Sequence, residues 1–151
     1  MDLTQFEIWR GERKMYNFFF DGASKGNPGV AGGGGIIYNL EEIVEIEYSW
    51  SIGTDTNNMA EAHALWKGLL QLKSIGIEES IVFGDSCLLI QALNMPTKIS
   101  NLELACLIKR IQLLTRTFQK IEFFHVLRTL NSKEDKATNK ATLLSKRENF
   151  M

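Results

Sequence analysis

Four carboxylates stand where folding alone does not call for an acid: Asp21, Glu61, Asp85 and Asp135. Asp21 follows the aromatic run Tyr16-Asn17-Phe18-Phe19-Phe20 and precedes Gly22. Glu61 falls in the first turn of a strongly helical segment. It shares a stripe with Ala64, Leu65, Gly68 and Leu72, which predicts that it faces the sheet. Asp85 closes the apolar run Ile81-Val82-Phe83-Gly84, and Asp135 opens a last helical segment. Clustered carboxylates repel unless a cation joins them, and hard oxygen donors select Mg²⁺ or Mn²⁺ over softer metals. Two such ions about 3.5–4 Å apart stabilise both the attacking and the leaving oxygen of an in-line phosphoryl displacement. That is the chemistry four such acids would perform together.

Three of the four also have a plainer reading. Glu61 stands three residues after Asn58, and Asp135 three after Ser132, the spacing of a capping box; Asp85 fits an N-cap. Asp21 has the weakest alternative, because Gly22 explains a turn but not a carboxylate.

The elements that must position these acids follow from changes of period. Residues 16–20 read as a buried strand stopped by Asp21-Gly22, and residues 24–29, rich in turn formers, as a loop. Residues 33–38 form a second strand and 39–42 a short connection. In residues 43–50, Val44, Ile46, Tyr48 and Trp50 alternate with Glu45, Glu47 and Ser49, a half-buried strand with an acidic outer face. Three strands so closely joined predict an antiparallel meander. The spacing then predicts a helix over 57–75 closed by Gly76, a strand over 81–84, and a short helix through Leu93 broken at Asn94-Met95-Pro96. Ser100 with Glu103 reads as a capping box opening a helix on Leu104, Leu107, Ile108, Ile111 and Leu114. A fifth strand spans 121–126 and a last helix 132–144. The order βββαβααβα is that of an α/β layer fold with a mixed sheet. In open α/β sheets, sites form beyond the carboxyl ends of parallel strands. If the first and fourth strands are parallel neighbours, Asp21 and Asp85 come side by side.

A chain of 151 residues, 44% hydrophobic and 23% charged with two prolines, has room for one domain with a conventional core. The expected organisation is a leader or linker over 1–15, the domain over 16–144 and a tail over 145–151. Cys87 and Cys106 make no disulfide framework, and no Cys/His cluster has zinc-ligand spacing. No apolar run approaches the roughly 18 residues of a membrane span, and the polar start is unlike a signal peptide. An intracellular place, nucleus or cytoplasm, is expected, with no membrane or protein partner and a monomeric state. The net charge of −1 hides a division. Residues 39–62 hold Glu41, Glu42, Glu45, Glu47, Asp55 and Glu61 without a Lys or Arg. Residues 98–120 hold Lys98, Lys109, Arg110, Arg116 and Lys120 against Glu103 alone. Such a dipolar surface suits a polyanion on one side.

The run Asp21-Gly22-Ala23-Ser24-Lys25-Gly26-Asn27-Pro28-Gly29 resembles the opening motif of type 1 ribonuclease H domains, especially the plant retroelement-like branch associated with reverse transcriptases. Asn57-Asn58-Met59-Ala60-Glu61 is similar to that family's first-helix motif, and Gly84-Asp85-Ser86 to its third acidic position. His125-Val126-Leu127-Arg128, followed by Asn131 and Asp135, resembles the closing signature. The likeness spans residues 16–142. It implies a ribonuclease H-like fold: a five-stranded mixed sheet, first three strands antiparallel, with helices on both faces. It further implies endonucleolytic cleavage of the RNA strand of RNA–DNA hybrids with Mg²⁺ or Mn²⁺, as two ions. By that resemblance Asp21, Glu61, Asp85 and Asp135 would bind metal, and His125 would help move protons or release product. Gly22, Asn27, Asn57, Asn58, Ser86 and Asn131 would meet the substrate.

The chain departs from the pattern in places. Leu127 and Thr129 stand where the plant branch commonly has Pro and Glu, Cys87 where some members have a polar side chain, and Glu134 where a small residue precedes the last Asp. The basic insertion of some bacterial members is not evident, and the 98–120 region is the expected substitute. The rival expectation is a retroelement-derived module of the same fold that binds nucleic acid but cuts weakly or not at all. Gly32-Gly33-Gly34-Gly35 does not indicate a dinucleotide site, since no G-x-G-x-x-G fits and a strand pattern follows.

Overall fold

A computed structural model describes residues 15–26, 29–95 and 97–126. Its elements are β1 (Tyr16–Gly26), β2 (Gly29–Tyr38), β3 (Val44–Asp55), α1 (Asn57–Ser74), β4 (Glu79–Gly84), α2 (Cys87–Asn94), α3 (Leu102–Thr115) and β5 (Lys120–His125). The strands form one mixed sheet in the order β3-β2-β1-β4-β5. β1, β2 and β3 are an antiparallel meander, while β4 runs parallel to both β1 and β5. Among the described residues, all three helices join one core with Phe18, Phe20, Ile37, Val82 and Phe123. Phe19, Ile36, Tyr38, Ile81 and Phe83 form a second cluster. The helix expected over 132–144 lies outside the described residues, as do Asn27, Asn131, Asp135 and the tail.

One expectation is corrected at the first hairpin. β1 does not stop at Asp21, and of the loop expected over 24–29 the described residues, 24–26 and 29, are strand: β1 pairs with β2 as far as Gly26↔Gly29. A glycine-rich run reads as a turn from composition, yet a ladder needs only the backbone, which glycine also supplies. The positive φ of 89° at Gly26 completes the reversal. Asp21 therefore sits inside a strand, opposite Gly34.

α1 crosses the sheet where both surfaces are small. A Cβ on Gly33 would lie 3.0 Å from Ala64 Cβ, and one on Gly68 would run into the Phe18 ring. The polyglycine segment thus serves close helix–sheet packing. Tyr48 on β3 donates its hydroxyl to Ala64 O at 2.7 Å and stacks on Trp50. α1 ends as expected at Gly76 (φ 79°). Ile77 N–H donates to Leu72 O and Gly76 N–H to Lys73 O, both at 3.0 Å, a Schellman closure.

Candidate metal centre

Asp21 and Asp85 are brought together by sheet register. The last parallel pair of β1 and β4 is Phe19↔Phe83, whose rings stack 4.7 Å apart between centroids. Two residues further along each chain come the two aspartates, so equal steps from one pair leave them adjacent. Glu61 arrives from α1, buried at 7% exposure. Gly22 makes that approach possible: a Cβ there would stand 2.5 Å from the Ala60 carbonyl oxygen and the Glu61 nitrogen. The first turns of α1 therefore press directly onto β1, one residue after Asp21. One carboxylate oxygen from each of Asp21, Glu61 and Asp85 lies within 4.8 Å of the others. Hard anionic oxygens at that separation fit a divalent cation such as Mg²⁺ or Mn²⁺, and the convergent set includes no thiolate or imidazole.

The local capping readings of Glu61 and Asp85 give way. Thr56 caps α1, accepting from Met59 N–H at 3.3 Å, and Glu61 is on the second turn, not the first. Ser86 caps α2, accepting from Leu89 N–H at 3.3 Å, which leaves Asp85 outside the helix. Ser86 is buried in that role, and the Ser100–Glu103 box is likewise replaced by Asn101, which accepts from Leu104 N–H. Each true cap lies one or two residues from the predicted one, because several side chains in these stretches have capping chemistry and only the entry angle of the chain chooses.

Asn57 and Asn58 are exposed at the start of α1. Ser24 on β1 donates its backbone N–H to Asn57 Oδ1 at 2.7 Å, and its hydroxyl lies 3.0 Å from the same oxygen. Two motifs 33 residues apart in sequence are thus one surface, and Ser24 was not among the residues picked out by sequence. Only its place within the opening motif pointed there. His125 at the end of β5 is partly buried, its Nε2 3.1 Å from the Asp85 carbonyl oxygen.

A family described as reverse transcriptase-like matches residues 19–141. The crystal structure of ribonuclease H1 from the archaeon Halobacterium salinarum superposes with a TM-score of 0.75 at 30% identity, covering 78% of this chain and 89% of that one. The chain belongs to the ribonuclease H family. The N-terminal ribonuclease H domain of Rv2228c from Mycobacterium tuberculosis is 32% identical, with a TM-score of 0.75 over 80% of this chain and 93% of that domain. The full mycobacterial protein, called bifunctional, is longer: this chain is 34% identical to it over 122 residues and spans about a third of its length, 34%. LC11-RNase H1, isolated from compost, has been solved in complex with an RNA/DNA hybrid; it is 27% identical, with a TM-score of 0.74 over 85% of this chain. The five-stranded mixed sheet with helices expected from the ribonuclease H resemblance, its first three strands antiparallel, is therefore found. Among the described residues of this ribonuclease H domain, no helix is long and apolar enough to cross a membrane.

Proposed function

We propose that the chain is a divalent-metal-dependent endonuclease that cleaves the RNA strand of RNA–DNA hybrids. The observation that carries this reading is the convergence of Asp21, Glu61 and Asp85 within 4.8 Å on a ribonuclease H frame. Those three residues, joined by Asp135 through its place in the closing motif, would hold two Mg²⁺ or Mn²⁺ ions. When bound, such ions supply Lewis-acid stabilisation of charge on the attacking and leaving oxygens of a phosphodiester. The remaining work falls to the chain itself. Asn57 and Asn58 lie on the exposed entrance to α1, where short polar groups reach sugar and phosphate, and Ser24 fixes the side of the Asn57 amide that faces the hairpin. An enzyme selecting a hybrid reads shape and the 2′-hydroxyl, because A-like geometry hides the major groove, and small side chains on a tight hairpin allow a close approach. His125 stands beside Asp85, within reach of a role in proton movement or product release.

A gel assay of the purified chain on labelled RNA–DNA hybrid, dsRNA and dsDNA tests the proposal. Cleavage of the RNA strand of the hybrid is expected with Mg²⁺ or Mn²⁺ and none in EDTA. Ca²⁺, whose larger and looser shell disfavours tight octahedral clamping, is expected to substitute poorly. Robust cutting in EDTA, or equal cutting of dsDNA, would contradict the reading.

A further inference from the structure

At the junction of β4 and α2, two consecutive residues of the β5 end engage two consecutive carbonyls. Val126 N–H donates to Gly84 O at 2.9 Å, and His125 Nε2 lies 3.1 Å from Asp85 O. A carbonyl oxygen only accepts, so Nε2 carries the hydrogen and is the donor. The Asp85 carbonyl occupies a particular place. The β4–β5 ladder ends one residue earlier at Gly84↔His125, and the α2 ladder begins one residue later, where Ile90 N–H meets Ser86 O at 3.1 Å. The imidazole bridges the step between the two ladders, at the residue that carries the carboxylate.

We infer that His125 is a positioning residue for Asp85: its Nε2–H, given to the Asp85 carbonyl, holds that carboxylate in register with Asp21 and Glu61. The inference rests on the reading of Asp85 as a metal ligand and adds to His125 a task independent of substrate. Site geometry is useful only when held to about 0.5 Å, and outer partners that orient a metal ligand typically govern affinity by about 10–100-fold. A residue acting only on protons or product would leave metal binding by the nucleic-acid-free protein untouched.

The test is a Mg²⁺ titration of the full chain without nucleic acid, followed by backbone-amide NMR shifts, for the parent, His125→Ala and His125→Gln. Mg²⁺ is the probe because it is a poor partner for imidazole, so any loss is not that of a direct ligand. His125→Ala is expected to raise the Mg²⁺ Kd about 10-fold. His125→Gln, whose amide can donate to the same carbonyl, is expected to return Kd toward the parent value while cleavage of the hybrid stays impaired. The spectrum itself reports whether each variant is folded. An unchanged Kd in His125→Ala, or a loss that Gln does not restore, overturns this inference alone. A parent chain that binds no Mg²⁺ overturns the functional reading and the inference with it.

Discussion

Thr56 and Ser86 perform the capping at the two helix starts beside the site, so neither Glu61 nor Asp85 is needed for it. Charges within 4.8 Å of one another repel by roughly 3 kcal/mol per ionised pair at an effective dielectric near 20. Asp21→Asn and Asp85→Asn should therefore leave the metal-free protein as stable as the parent or more so. Mg²⁺-dependent cleavage should fall by roughly 100-fold or more. Thermal unfolding in EDTA and hybrid cleavage in Mg²⁺ check the two halves. A clearly destabilised Asp21→Asn variant that cuts at near-parent rate would sink the shared site. Thr56→Ala makes the opposite case, costing about 1 kcal/mol by loss of a true cap. Gly22→Ala combines both effects. Its methyl has no space against Ala60 and Glu61, so overpacking should cost about 1–3 kcal/mol. Because α1 must retreat to admit it, Mg²⁺ affinity measured on the folded fraction should also drop; parent-like affinity would show that Gly22 does not set the Asp21–Glu61 spacing.

At the scale of elements, the seat of α1 on the meander decides whether the three acids meet. Tyr48 is the polar pin of that seat, its hydroxyl bonded to Ala64 O and its ring beside Phe18. Burial pushes its phenol well above the usual tyrosine range. The sign of the linkage follows: above pH about 10 the unfolded chain releases this proton and the folded chain keeps it, so stability falls as pH rises. Tyr48→Phe should cost about 1 kcal/mol near neutral pH from the lost hydrogen bond. It should also flatten the decline of stability between pH 10 and 11 relative to the parent. Denaturant unfolding of the two proteins across that range measures the difference; parallel curves would mean that the phenol is not held neutral.

Over the whole molecule, the acidic stretch at 39–62 and the basic stretch at 98–120 fall on different parts of the fold. β3 carries Glu45 and Glu47 outward at one sheet edge, and α3 carries Lys109 and Arg110 exposed on the helical side. With only a handful of cations on that side, few counterions should be displaced when a hybrid binds. The slope of log K against log salt should be shallow, on the order of −2 to −4. Reversing Lys109 and Arg110 to Glu should weaken binding at low salt more than it alters the cutting pattern, as titration of a labelled hybrid would show. Unchanged affinity at low salt would place the nucleic acid on another face.

Among the described residues, the order of strands and helices, the meander and the inward stripe of α1 were readable from the sequence, as were Asp21, Glu61 and Asp85 as acids off the folding pattern. Each is written in local chemistry: a period of 2 or 3.6, a breaker, a charge on an apolar face. What pairs with what was not. The extension of β1 through the glycines to Gly26 depends on β2 lying alongside, and the choice of Thr56, Ser86 and Asn101 as caps depends on the angle at which each helix leaves its neighbour. The meeting of Asp21 with Asp85 was conditional until β1 and β4 were found parallel with Phe19 opposite Phe83. The glycines at 22, 33 and 68 carry no side-chain signal, yet they set how closely α1 approaches the sheet. Sequence names the groups that can act. Distances between groups 24 to 64 residues apart arise only when register and packing bring the backbones together.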